Sequence, residues 1–169
     1  GVTAEATSDT TDPDANPTNI TGYNANGGST IAPNGWTNGS SPFFTWDAGA
    51  DTNVGVHGYC AYLGTDQAAD PTTTKGQLGT SPAATGNNCQ FIVNGTSLDL
   101  ATPGLLDTPL TTSNDTLYLT LRTIDKAGNI TNNSAQFSFR FDNTPPTNPG
   151  FITAPSGFIN TKDVELSWP

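Results

Sequence analysis

The 169-residue chain has no methionine, only two cysteines, a single histidine and few basic residues. Lys and Arg number 5 against 15 Asp and Glu, which gives a formal net charge of −10. Nucleic acid and anionic membrane surfaces repel a protein of this charge, so neither is an expected partner. Divalent cations remain compatible with it, because carboxylates attract them.

Long apolar runs are also missing. No stretch approaches the roughly 20 residues that span a bilayer, so we expect no membrane insertion. Residues 1–13 lack the basic start and apolar core of a signal peptide, which indicates a mature or excised polypeptide. No segment keeps the apolar spacing of a helix. The chain is instead rich in Thr and Asn, with 18 Gly and 13 Pro, a profile typical of short strands joined by polar turns.

The clearest element is a hairpin between residues 115 and 146. Two apolar runs alternate at period two, which places three large side chains of each run on one face of a strand. The turn 125–129 separates the two runs, and Pro145-Pro146 ends the second strand because proline donates no ladder bond. The alternating residues are Leu117, Leu119 and Leu121 in the first run, and Phe137, Phe139 and Phe141 in the second.

Five further short strands are predicted upstream, at 19–23, 42–47, 56–63, 89–93 and 97–101. Together with the hairpin they make seven strands, the pattern expected of a two-sheet sandwich. The Gly/Asn-rich stretch 24–38 is predicted to be a loop whose Ile31 and Trp36 pack down on the core. The excursion 64–88 is unusually long for a loop, so it is either functional or partly ordered.

The sequence begins to repeat itself after Pro146. Residues 148–153 echo 16–21, and residues 164–168 echo 42–46. We therefore divide the chain into a polar linker or leader (1–16), one repeat (17–142), a Pro-rich linker (143–149) and the start of an incomplete next repeat (150–169). Tandem repetition builds length, which suits a stalk or filament better than a catalyst.

Two segments carry a resemblance to a known family. Residues 123–129 (TIDKAGN), followed by the Phe-alternating strand and by residues 141–146 (FDNTPP), resemble the closing hairpin of bacterial immunoglobulin-like repeats of the fibronectin type III-like kind. The resemblance implies an all-β immunoglobulin-like sandwich of about seven strands in a secreted or cell-surface protein. Such motifs are more specific for fold than for function.

The resemblance favours a structural or interaction module, one rigid repeat of a long extracellular stalk, adhesin or filament, whose partners are neighbouring repeats or other copies of the chain. One alternative is a self-assembling filament subunit in which residues 150–169 add a strand to a neighbour. Another is an adhesive module that binds a surface glycan or protein through residues 64–88. An ancillary domain of a secreted glycan-degrading enzyme is the weakest alternative.

Calcium is the one cofactor that the sequence suggests. Asp12 and Asp14 lie at one end of the repeat, Asp142 lies at the other, and Asp125 is in the turn expected near Asp142. Repeats of this family often stiffen their junctions with calcium, which oxygen ligands bind. The alternative is that these aspartates only form turns, since Asp side chains readily hydrogen-bond the backbone.

Cys60 and Cys89 are predicted to form a disulfide, because the remaining composition is typical of extracellular proteins; two reduced cysteines are the alternative. No catalytic residue is predicted, since His57 has no recognisable nucleophile or metal-ligand motif around it, and a surface histidine is favoured. Trp36, Phe43 and Tyr62 could stack on a sugar or anchor a partner, although packing is favoured. Glycan acceptor triplets begin at Asn19, Asn38, Asn94, Asn114, Asn129 and Asn132.

Overall fold

A computed structural model describes residues 8–79, 89–148 and 150, and within them the chain is all-β, without a helix. One sheet has the order β2 (Thr30–Ile31), β1 (Thr18–Tyr23), β4 (Phe43–Asp47) and β7 (Ser97–Asp99). The other has the order β3 (Trp36–Thr37), β9 (Ala135–Phe141), β8 (Leu117–Asp125), β5 (Val56–Gly64) and β6 (Ile92–Val93). Neighbouring strands pair antiparallel, except that β3 runs parallel to β9.

The predicted closing hairpin is confirmed. All three leucines of β8 and all three phenylalanines of β9 that the alternation singles out are buried. The phenylalanines face the first sheet: the Phe44 ring lies 5.9 Å from that of Phe137 and 5.5 Å from that of Phe139. Tyr59 of β5 likewise contacts the first sheet, with its ring 5.6 Å from that of Trp46. One apolar core between two sheets is consistent with a β-sandwich.

The stretch 24–38 differs from its prediction as a loop, because it contains both short strands β2 and β3. Ile31 packs into the core as expected, but Trp36 is 52% exposed. The reason is the alternation of a strand: Thr37 takes the inward position of β3, so Trp36 points outward. The strands predicted at 89–93 and 97–101 shorten to β6 and β7.

The described part of the excursion is ordered, in agreement with one of its two predicted alternatives. Every residue of β5 from Gly58 to Gly64 is buried, instead of one face alone. Cys60 of β5 packs with Cys89 and Ile92 in a second apolar cluster. The Gln77 amide donates to the Leu63 carbonyl at 2.7 Å, and Leu78 is 2% exposed. The excursion therefore extends the packed interior.

An ion pair holds this excursion against β8. The Arg122 guanidinium donates to both Asp70 carboxylate oxygens at 2.9 Å, and its other nitrogens donate to the Thr131 carbonyl. Burial raises the pKa of Asp70, but hydrogen bonds from Thr72 and the charge of Arg122 outweigh it and hold that pKa below its usual value.

We expect Asp70→Asn to destabilise the protein at neutral pH and not in acid. A carboxyl whose pKa is lowered in the folded state stabilises above its unfolded pKa, and this contribution is lost as the pH falls through the folded value. Because the Asp70 side chain is 44% exposed, solvent screens the pair and the effect at pH 7 is about 1 kcal/mol. Urea titrations between pH 7 and pH 2.5 should show the unfolding free energies of the unmodified chain and of Asp70→Asn converging in acid. A difference that stays constant with pH would contradict this.

The described residues of the predicted linker 1–16 pack on the domain. Ala15 pairs with Ala50, Pro13 is buried, and the Asn16 amide oxygen accepts hydrogen bonds from the Thr123 amide and the Thr131 hydroxyl. Hydrogen bonds to the neighbouring turns hold this polar segment in place. No helix in the described part of the chain is long and apolar enough to cross a membrane.

The chain enters and leaves the sandwich at opposite ends. Asn16, just before β1, accepts a hydrogen bond from the Thr123 amide near the end of β8. The chain then reverses into β9 from that end of the sheet. β9 then runs the length of the sheet, and Asp142 follows it beside Thr37 at the far end. Residues 143–148 contain no strand and are exposed, and the predicted second repeat from 151 onward lies outside the described residues.

Candidate metal centre

The turn between β8 and β9 is built around the Asp125 carboxylate, which is 1% exposed. One carboxylate oxygen accepts hydrogen bonds from the amides of Ala127, Gly128 and Asn129, at 2.6–2.9 Å. The other accepts from the Asn129 side chain at 2.8 Å. Gly128 has a positive φ of 98°, a conformation that side chains disfavour, which explains the glycine at this point of the turn.

Two further carboxylates converge on Asp125. Asp51, between β4 and β5, uses Oδ2 to accept from the amides of Val54 and Gly55, and Asp9 uses Oδ1 to accept from the Thr11 amide. One oxygen from each of the three aspartates lies within 4.8 Å of the others. The remaining oxygens, Asp9 Oδ2 and Asp51 Oδ1, are buried and have no hydrogen-bond partner within the described part of the chain.

Carboxylate oxygens are the ligands that hard divalent cations prefer, so these three aspartates could hold one. Two oxygens on opposite sides of a calcium ion, each about 2.4 Å from it, are about 4.8 Å apart. Three negative charges at such spacing repel, and neither ion pair found among the described residues involves them. A buried carboxylate oxygen without a donor is costly, so an added partner for Asp9 Oδ2 or Asp51 Oδ1 would be stabilising.

Of the four predicted calcium ligands, only Asp125 belongs to this cluster. Asp12 accepts a hydrogen bond from the Asn132 side chain, and Asp14 accepts one from the Thr52 amide, so both tie the entry segment to neighbouring turns. Asp142 accepts from the Thr144 amide at the other end of β9, the end opposite to Asp125. The expected neighbourhood of Asp125 and Asp142 is therefore wrong, since β9 separates them.

Sequence reasoning missed Asp9 and Asp51, and no local pattern marks them. The three clustered aspartates come from the entry segment, the β4–β5 connection and the β8–β9 turn. Long-range contacts bring these segments together, among them the pairing of Ala15 with Ala50 and the bond from the Lys126 amide to the Gly55 carbonyl. The sequence feature that could point to this cluster was Asp125, because it lies in a recognisable turn that contains Gly and Asn.

The predicted disulfide is present between Cys60 and Cys89, whose Cα atoms are 5.3 Å apart. Cys60 lies on the outer face of β5, and both sulfurs belong to a second apolar cluster with Ile92 and Ile124. The bridge thus joins the strand before the excursion to the segment that follows it.

The glycan acceptor positions divide into two groups. The side-chain nitrogens of Asn19, Asn129 and Asn132 donate hydrogen bonds to aspartates, so modification there would break these bonds. The other three acceptors are exposed, namely Asn38, Asn94 and Asn114. His57 is also exposed, near the start of β5.

Comparison with protein-family models, with curated proteins and with solved structures finds no match for this chain.

Proposed function

We propose that the chain is a structural module, a rigid repeat that acts as a spacer in a long secreted or cell-surface protein. The observation that carries the proposal is the placement of entry and exit: Asn16 and Asp142 lie at opposite ends of β9. Successive domains joined in this way follow one another along a line, so each adds length.

Order at both ends supports a stiff spacer. The entry segment is fastened by side-chain bonds from Asn16 and by the Ala15–Ala50 pairing. At the exit, Asn143 exchanges hydrogen bonds with Thr112 before the prolines, which restrict the backbone further. The −10 charge suits a module that remains soluble and does not self-associate.

We further propose that the sandwich is of the immunoglobulin-like, fibronectin type III-like kind. In that fold the first, second and fifth main strands share a sheet, while the third, sixth and seventh share the other. When the short edge strands β2 and β3 are set aside, six strands of the order β1-β4-β7 and β9-β8-β5 agree with this arrangement, while the fourth, β6, pairs with β5 in the second sheet.

A calcium ion at Asp9, Asp51 and Asp125 forms part of the same proposal. Calcium there would fasten the entry segment to two turns of the domain and thus limit bending between repeats. The orphaned oxygens of Asp9 and Asp51 support it. The disulfide is compatible with the proposed extracellular location, because such bonds persist in oxidising compartments.

Tandem copies of residues 1–149 test the spacer role. We expect arrays of two, four and eight copies, imaged by electron microscopy, to be unbranched rods whose length rises in proportion to copy number. Arrays with the linker 143–149 replaced by a Gly/Ser sequence of equal length provide the control, and they should bend more. Compact particles whose dimensions do not grow in one direction would contradict the proposal.

A further inference from the structure

Trp36 is the largest exposed apolar side chain of the described residues, at 52% exposure. It stands on the edge strand β3, directly opposite Arg140 of β9. The Arg140 guanidinium lies 5.5 Å from the centre of the indole, and its Nε donates to the Thr116 hydroxyl at 3.4 Å. The indole is therefore held in place by a cation on one side while much of it faces solvent.

A cleft of about 420 Å³ opens beside this indole. Its lining is mostly polar and includes Asn38, Asp142, Ser29 and Thr30. The Asn38 side chain is exposed, and the second carboxylate oxygen of Asp142 has no hydrogen-bond donor among the described residues. The cleft thus combines a fixed aromatic surface with several donors and acceptors, at a volume typical of small-ligand sites.

We propose that this cleft, the Trp36 cleft, binds a neutral saccharide. The C–H face of a sugar ring would stack on the indole, which offers a rigid apolar surface. Its hydroxyl groups would donate to the Asp142 carboxylate, a charge-assisted bond, and pair with the Asn38 amide. The ligand is neutral because the chain carries a net charge of −10, which disfavours anions, while Arg140 already covers part of the indole.

Other occupants suit the cleft less well. An added peptide strand would need a longer edge than the two residues of β3. An apolar partner would leave Asp142 and the Asn38 amide desolvated without partners, which is unfavourable. The proposal is independent of the spacer role, since a rod can carry a saccharide site without any change in its length.

An array of neutral oligosaccharides (glucans, mannans, xylans and galactans) tests the inference when it is probed with the 169-residue chain. Any oligosaccharide that binds is then titrated by calorimetry to measure its affinity. The protein should come from a host without Asn glycosylation, because the acceptor Asn38 lies in the cleft. We expect Trp36→Ala to weaken binding at least about tenfold, since an aromatic anchor of this kind dominates its interface. Asp142→Asn should weaken it less, because the amide retains an acceptor.

Val54→Ala is the matched control, since Val54 is the other large exposed apolar residue of the described part and lies before β5, next to Asp51 at the entry end. The Val54→Ala variant should bind the saccharide with the same affinity as the unmodified chain. Absence of binding to every neutral saccharide overturns the inference, as does equal binding by Trp36→Ala. If Trp36→Ala fails to fold, Asn38→Ala decides: undiminished affinity in that variant also overturns it.

Discussion

Removal of the Cys60–Cys89 bridge is expected to lower the free energy of unfolding by about 3 kcal/mol. The bridge links two residues that are 29 positions apart in sequence, so it restricts the unfolded chain far more than the folded one. In the folded protein it also joins β5 to the segment before β6, within the cluster that covers the outer face of β5. For a domain of this size the loss corresponds to a fall in melting midpoint of roughly 10 °C.

Calorimetry of the oxidised chain and of the Cys60→Ala/Cys89→Ala variant measures this difference. The variant should keep its far-ultraviolet circular dichroism, because the Asp70–Arg122 pair still anchors the excursion. Reducing agent should lower the midpoint of the unmodified chain and leave that of the variant unchanged. Equal midpoints for the oxidised chain and the variant would show that the bridge adds nothing to stability.

Calcium is expected to raise the melting midpoint of the chelator-treated chain by roughly 5–10 °C. At a free concentration about a hundredfold above the dissociation constant, a ligand that binds only the folded state stabilises it by about 2.7 kcal/mol. The stabilisation follows from satisfying the buried oxygens of Asp9 and Asp51 and from offsetting the repulsion among three carboxylates.

Charge-removing variants locate the ion. Asp51→Asn keeps an acceptor for the amides of Val54 and Gly55 but loses the charge, so its midpoint should no longer respond to calcium. Asp14→Asn is the matched control, since Asp14 lies near the same end and accepts from the Thr52 amide. A calcium response that is lost in Asp14→Asn and kept in Asp51→Asn would favour the ligands predicted from sequence.

The closing hairpin was predictable because its evidence is local. Alternation in β8 and β9 and the turn at 125–129 lie within one stretch of chain, and period two alone determines which side chains are buried. The outer face of β5 was not predictable in this way. Its burial depends on the excursion folding back through Asp70 and Arg122, a contact between residues far apart in sequence.

The candidate metal centre illustrates the same limit. Asp125 stood out because its turn is recognisable, whereas Asp9 and Asp51 join it only through the pairing of distant segments. Trp36 was expected to pack inward because a loop imposes no alternation. Once residues 36–37 form an edge strand, the neighbouring Thr37 occupies the interior and the indole must face outward.

Stretching single molecules by their two ends tests whether this chain is a spacer that withstands force. We expect one discrete unfolding event, in which β1 and β9 resist force together with the strands beside them. Reduction should lengthen the unfolded chain by about 100 Å, because the intact bridge prevents the residues between two cysteines 29 positions apart from being extended. Gradual extension at low force, without a discrete event, would contradict it.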